Sequence, residues 1–488
     1  MEKRQPVTQN NWVTLAFAAL AIIGGGSLAF FVTTLENPLL LIFGFAGLLA
    51  VFAVMAKPEW GLYLLVFLGY TRFSDVAIAE HGLPSVLKPL IAIVGLAILV
   101  RCVIYRKHPV GWGFPSLLIG AYGLVGFISL LHADDYISAQ GAVIAFAKDA
   151  IIAIFVIFLL QRARALRYIT WVLLGAGIFL GTISVYQYLT RSFSSAFWGF
   201  GQAVYMNIVG QTNGYRLTGP FGDPNPFAQA MVVLVPLALD RLFSEKHPLL
   251  RILAGWALLT AILTTVFTFS RGGFIALAVI SLAFLLWRRF SLPTIVLLLL
   301  LILIVFTVMP TEYTARIQSL TSLFSPDSGG LQSEASFRGR ASELSVGWLM
   351  FLDHPILGVG LNNYPSHYIE YSSLVGLDPR FEERSAHDLY IEIAAEQGIF
   401  GLLIFGLLLW YIFRGLLWAK STFRSIQMPA FANLTVAFIT SLIGYLTCAL
   451  FLHNAYPRQF WLLVGIAMAI PLIARKELEE YRSKTAGD

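Results

Sequence analysis

The chain has 488 residues, 58% of them hydrophobic and only 12% charged, with a formal net charge of +6. Soluble proteins carry about 25% charged residues, so this chain cannot cover itself for water. A disordered chain, a disulfide scaffold and an ordinary cytosolic enzyme are excluded, and a polytopic membrane protein remains.

A spanning helix needs about 20 mostly apolar residues. Residues 1–11 are polar, with Lys3 and Arg4. The apolar run that follows has no small-residue cleavage site, so it reads as a first span and not as a removed signal peptide. Candidate spans then run at 12–33, 37–56, 59–71, 87–105, 115–132, 143–160, 168–188, 227–243, 250–269, 272–287, 292–309, 398–413, 429–452 and 457–473. The third is short enough to be re-entrant. The list predicts an all-α polytopic integral membrane protein with about 12–14 transmembrane helices.

Lysines and arginines orient the list. Lys57, Arg101, Arg162, Arg164, Arg167, Arg241, Arg251, Arg288, Arg414, Arg424 and Arg475 all fall on one side, which is then cytoplasmic together with both termini. Asp134 and Asp135 fall on the other. Two outer segments, about 190–226 and 310–397, are too long to be turns. Three regions are expected: an N-terminal bundle over 1–309, a large outer loop over 310–397, and C-terminal helices with a cytoplasmic tail over 398–488. Helical stretches are expected at Ser342–Leu352 and Ser385–Gln397, giving a folded cap. No nucleic-acid motif, Walker motif, zinc spacing or paired acidic metal motif occurs, and Cys102 and Cys448 sit in or beside apolar runs.

Arginines on the outer side oppose the charge rule, and these are Arg216, Arg271, Arg338, Arg340, Arg380, Arg384 and Arg458. Arg271, in Ser270-Arg271-Gly272-Gly273, lies at the membrane boundary, where an uncompensated charge costs a few kcal/mol. It can grip an anion, with the two glycines letting phosphate approach the backbone, because its fork suits phosphate oxygens. It can equally snorkel to lipid head groups or pair with a loop carboxylate such as Asp223. Arg216 precedes a Pro/Gly-rich turn at Gly219–Pro226 that either mounts a site or simply starts a helix, with Pro226 near its first position. Arg338 and Arg340 read as a solvated helix start or as further anion contacts.

Ser385 and Asp388 have capping-box spacing, which predicts a helix beginning at Ser385 with His387 in its first turn. The positive end of that helix favours the neutral imidazole that a general base needs. The plain alternative is a histidine that packs or caps at the loop–membrane seam. His453 is the reserve candidate. Lys148 and Asp149, near an outer helix end, are expected to pair locally.

Four motifs then stand out: Arg216-Leu-Thr-Gly-Pro-Phe-Gly-Asp-Pro-Asn225, Ser270-Arg271-Gly-Gly, Pro355-Ile-Leu-Gly-Val-Gly-Leu-Asn-Asn-Tyr364 and His387-Asp-Leu-Tyr-Ile-Glu-Ile-Ala-Ala-Glu-Gln-Gly398. In this order and topology the chain resembles the bacterial O-antigen ligase and O-antigen polymerase superfamily over nearly its whole length. That pattern more often has Asn after the histidine, where this chain has Asp388. The resemblance implies a GT-C-like fold and an inverting, metal-independent glycosyltransferase without cofactor. Its donor would be a glycan on undecaprenyl pyrophosphate at the periplasmic face of the inner membrane. Its acceptor would be lipid A-core or the end of another glycan.

By that resemblance Arg216 and Arg271 hold the pyrophosphate, Arg340 assists, and His387 activates the acceptor hydroxyl. Asn225, Arg338, Asn363, Tyr364, Tyr390 and His453 are candidate substrate contacts, and the outer aromatics Tyr364, Tyr368, Tyr371 and Trp198 are candidates for stacking on sugars. Competing readings are a glycan polymerase, a protein O-oligosaccharyltransferase with the same donor, and a solute transporter. A transporter predicts midplane ionisable residues and inverted repeats, and the sequence has neither.

Overall fold

The structure, a computed structural model, describes residues 39–105, 113–209, 212–287, 335–377, 382–452 and 457–485. The expected spans at 12–33 and 292–309, together with Arg380 and His453, lie outside the described residues. The other expected spans are helices. In chain order the helices are α1 (Leu39–Ala56), α2 (Pro58–Tyr70), α3 (Phe73–His81), α4 (Leu87–Tyr105), α5 (Phe114–Ser129), α6 (Tyr136–Leu159), α7 (Ala163–Leu189), α8 (Pro224–Ser244), α9 (Pro248–Phe267), α10 (Arg271–Trp287), α11 (Ala335–Asp353), α12 (Tyr364–Val375), α13 (Leu389–Ser425), α14 (Pro429–Cys448) and α15 (Arg458–Thr485). Among the described residues eight helices are long and apolar enough to cross a membrane. The bent pair α2 and α3 makes a ninth. The chain is an all-α polytopic membrane protein.

Helix α8 is the axis of the bundle, with 83% of its apolar window buried inside the protein, and it packs on α9, α14 and α10. Lipid supplies no hydrophobic drive between helices, so such contacts depend on close approach at small residues. Short side chains on α8, Ala228 and Ala230, are buried in that packing.

The short third span breaks as its length suggested. Helices α2 and α3 bend by 55° at Thr71–Arg72, and Arg72 takes φ +55°. A left-handed conformation costs a non-glycine residue about 1 kcal/mol or more. Tyr70 anchors the break from below by donating to the Ala230 carbonyl at 2.6 Å.

The connections Thr71–Arg72, Leu130–Asp135, Thr190–Asp223, Thr268–Ser270 and the α11–α12 region all gather at one end of the bundle, called here the cap end. The opposite, basic end carries Lys57, Arg162, Arg167, Arg241 and Arg424. The segment 190–226, expected as loop, contains an antiparallel hairpin of β1 (Ala203–Val209) and β2 (Thr212–Leu217), with Val204 opposite Arg216 and Tyr205 opposite Tyr215. Phe193 stacks on Tyr215 at 4.2 Å. Val204, Tyr205, Ile208 and Val209 supply the β-branched and aromatic residues that favour a strand.

Within the cap, α11, α12 and the start of α13 enclose a small core of Val346, Met350, Tyr364, Tyr368 and Tyr371. A rigid joint ties this core to the membrane helices. Helix α13 kinks at Gly398, φ +62°. The kink releases two carbonyls, so Ala395 O accepts from Val359 N at 2.8 Å and Glu396 O from Gly360 N at 3.1 Å. A Cβ at Gly398 would stand 2.5 Å from the Ile356 backbone, and one at Gly358 would stand 2.3 Å from Glu396. Much of two sequence motifs, Pro355–Tyr364 and Glu396–Gly398, is therefore explained by backbone locking to backbone.

Candidate functional site

Arg216 is the penultimate residue of β2, at the end away from the hairpin turn, and is 5% exposed. Its Nε donates to the Thr268 carbonyl at 2.8 Å, and its Nη2 donates to Asn225 Oδ1 at 3.4 Å. Asn225 sits at the start of α8, whose cap is Asp223, accepting from Asn225 N at 2.7 Å. The helix thus starts at Pro224, two residues before the Pro226 that the sequence suggested. Thr268 ends α9, and the chain then turns through Phe269 at φ +52°. Ser270 Oγ accepts from Gly273 N at 3.3 Å and starts α10 with Arg271 as its first residue. Arg216 and Arg271 therefore flank one tight turn, although 55 positions separate them in the sequence.

The two glycines after Arg271 have another job than the one expected. A Cβ on Gly272 would lie 3.1 Å from Phe451, and one on Gly273 would lie 2.9 Å from Ala228 Cβ. Both are buried, so they allow α10 to pack against α8 and the end of α14, a job for small residues in membrane helices.

Arg340 is the next cation. Burial first, and the nearby charge of Arg271 second, push its guanidinium below the ordinary arginine value. Its Cζ stands 5.7 Å from the Phe451 ring, a distance suited to a cation–π contact. One turn along α11, Glu343 has a side chain only 2% exposed, 2.7 Å from Arg384 Nη1 and 3.4 Å from His387 Nδ1. Burial raises the Glu343 carboxyl above its usual range, against the pull of His387 and Arg384. Tyr364 holds this stretch of α11 by donating to the Glu343 carbonyl at 2.5 Å. Glu343 was not singled out in the sequence, since a lone carboxylate on an amphipathic helix carries no signal until its partners are known.

The histidine is placed differently from the expectation. Helix α13 starts at Leu389, not at Ser385, and its cap is Asp388, whose Oδ1 accepts from Tyr390 N and Ile391 N at 2.9 Å each. Asn and Asp both cap with a side-chain oxygen, which accounts for Asp388 where the resembling pattern has Asn. His387 precedes the helix at φ +49°, so the helix dipole argument does not apply to it. What sets its tautomer is its neighbours. Nδ1 faces the Ser385 carbonyl at 2.9 Å and the Glu343 carboxylate, both acceptors. A neutral ring must then carry its hydrogen on Nδ1 and leave the Nε2 lone pair for a proton. The side chain is 35% exposed.

Several candidates serve elsewhere. Asn363 is fully buried, accepting from Asp135 N at 2.7 Å and donating to Asp135 and Leu361 carbonyls. Tyr364 and Tyr368 are fully buried in the core of the cap and present no face for stacking, Tyr371 is buried but lines a cavity, and Trp198 is 70% exposed. Tyr390 donates to the Leu446 carbonyl at 3.3 Å and binds α13 to α14. Arg338 is exposed. Asp149 pairs with Arg458 at 2.9 Å, a partner distant in sequence from its neighbour Lys148. Among the described residues no group of three or more potential metal ligands occurs.

Residues 256–406 match the family model described as O-antigen ligase. That stretch is similar to the O-antigen ligase family. It contains Arg271, Arg340, Glu343, Arg384, His387 and the Gly358–Gly398 joint, and it stops short of Arg216 on the N-terminal side. No curated protein matches the chain significantly. The family is one of membrane glycosyltransferase-type ligases and polymerases acting on lipid-linked glycans.

Proposed function

We propose that the chain is an O-antigen ligase: an inverting, metal-independent glycosyltransferase of the bacterial inner membrane. It moves a glycan from undecaprenyl pyrophosphate to a sugar hydroxyl of lipid A-core at the periplasmic face. The observation that carries this reading is the convergence at the cap end. Arg216 and Arg271 flank one turn, Arg340 feels the charge of Arg271, and Glu343 joins that group to His387.

In the reaction the acceptor hydroxyl gives its proton to His387 Nε2 while its oxygen attacks the anomeric carbon. The bond from that carbon to the pyrophosphate oxygen breaks, and undecaprenyl pyrophosphate leaves with the electron pair. Negative charge grows on the leaving oxygen, and Arg216, Arg271 and Arg340 are fixed in place to meet it. Preorganised donors of this kind contribute about 3–4 kcal/mol each when removed singly in other enzymes. The Nδ1 contacts orient the imidazole and, once it is protonated, stabilise it, leaving Arg384 to hold Glu343 in position. The positive-inside pattern supports the periplasmic placement of this end.

The test is transfer by the purified chain from an undecaprenyl-pyrophosphate glycan to lipid A-core. One glycan block added to the core is expected. A ladder of lengthening donor-linked glycans would instead identify a polymerase, and absence of both products would refute the reading.

A further inference from the structure

A polar cavity opens at the cap end, near the cationic group but lined by other residues. It has a volume of about 300 Å³, the lower end of the roughly 300–1,000 Å³ usual for small-molecule sites. Its wall includes Arg72, Asp75, Asp149 and Arg458, with Gln229 and Gln459 between them. The charged groups cross-pair. Arg72 Nε lies 3.1 Å from Asp75 Oδ2, and Arg458 lies 3.4 Å from Asp75 and 2.9 Å from Asp149. Two guanidiniums against two carboxylates leave this set with no net charge to select an anion.

The lining nevertheless offers fixed donors and fixed acceptors side by side, and it adds an aromatic wall. The Arg72 guanidinium stands 5.5 Å from the Phe221 ring, and Phe221 lines the cavity. A ligand whose every polar group both donates and accepts, and which also has apolar C–H faces, matches such a wall. That ligand class is an uncharged sugar. Arg72 lines the cavity from the α2–α3 break, where it takes a left-handed conformation, φ +55°. Strain at a non-glycine residue clusters at ligand sites.

Two elements link the cavity wall to the proposed transfer site. Pro226 lines it, and the preceding residue, Asn225, accepts from Arg216. Tyr445 also lines it, and Cys448, one helical turn on, meets the Gly272 carbonyl at 3.7 Å, next to Arg271.

We propose that this cavity is a saccharide subsite that holds one neutral sugar unit next to the pyrophosphate cations. The proposal rests on the glycosyltransferase reading for the source of the sugar, but its test does not require turnover. Saturation-transfer NMR on the full chain in detergent would follow two probes: phosphate-free glycan released from the donor, and lipid-free core oligosaccharide. Arg72→Gly keeps the left-handed backbone without strain and removes the guanidinium, and Phe221→Leu keeps apolar volume but no ring face. At least tenfold weaker binding of one probe in both variants is expected, with inorganic pyrophosphate binding unchanged, and the probe affected identifies donor or acceptor sugar. Saccharide binding that is absent in the parent chain, or equal in parent and variants, would overturn the proposal. Loss of pyrophosphate binding in Arg72→Gly would overturn it too, by making the cavity an anion site. A chain that binds the sugar but transfers nothing would refute the proposed function and leave the subsite standing.

Discussion

Two groups of arginines, at opposite ends of the same bundle, are built on different plans, each around one buried member, Arg241 and Arg216. At the basic end Arg241 is 5% exposed and lies against Asp240 at 2.5 Å and Glu245 at 3.1 Å, while Arg167 takes the second oxygen of Glu245. Trp171 and Ser244 add hydrogen bonds to those carboxylates. Two cations meet two anions, and the network closes on itself. At the cap end Arg384 pairs with Glu343, Arg340 lies within reach of the Glu343 charge, and Arg216 donates to a carbonyl and a carboxamide. A balanced network serves the fold. At the cap end Arg340 is held below the ordinary arginine value by burial first and by the Arg271 charge second, and a bound pyrophosphate would offset both.

The comparison is sharpened most strongly at the histidine. His387→Ala should lower transfer by about 10²–10⁴, the usual contribution of a general base, while folding and donor binding persist; a retained rate would remove the base assignment. Next come the guanidiniums. Arg271→Lys keeps the charge but not the fork, and a fall of about 10²-fold in transfer rate is expected. Unchanged transfer would make Arg271 a lipid-anchoring residue.

Stability should separate the two ends in the opposite sense. Arg241→Met leaves Asp240 buried without its partner, which typically costs about 3–5 kcal/mol, and thermal unfolding should show it. Arg340→Gln should keep or raise the melting temperature while transfer falls, since it relieves a crowded, desolvated charge. Equal destabilisation by both substitutions would erase the distinction. A smaller effect belongs to Glu343. Its folded-state value is raised by burial, so its stabilising contribution is full below the unfolded value of about 4.3 and is lost as pH rises through the folded value. Melting temperatures measured upward from pH 4 should fall through that window by at most about 1.4 kcal/mol per pH unit in stability. Glu343→Gln should flatten that segment of the curve. Smallest of all, a chelator should change transfer not at all; activity lost to it and restored by a divalent ion would contradict the metal-free mechanism.

The sequence made the membrane class and most helices legible because a run of apolar residues is a local signal. It made Arg216 and Arg271 legible because charge against the positive-inside trend is rare, and His387 legible from the capping residues around it. It did not reveal Glu343, whose meaning comes from Arg384 and His387 approaching it in space. It misplaced the start of α13, since Ser385 and Asp388 fit a capping box while the backbone turn at His387 leaves Asp388 to cap alone. The glycines after Arg271 and the residues Asn363 and Tyr364 looked like site residues because they sit in motifs, and packing is what they serve. The hairpin at Ala203–Leu217 was hidden by its shortness amid longer apolar runs.

The central claim is that the cap-end arginines, and not those at the basic end, hold a pyrophosphate. Equilibrium binding of a short-chain prenyl pyrophosphate to the purified chain tests this most directly. The paired change Arg216→Lys with Arg271→Lys should weaken binding at least tenfold, and Arg167→Lys at the basic end should leave it unchanged. Binding that survives the first pair, or is lost with Arg167, would contradict the account.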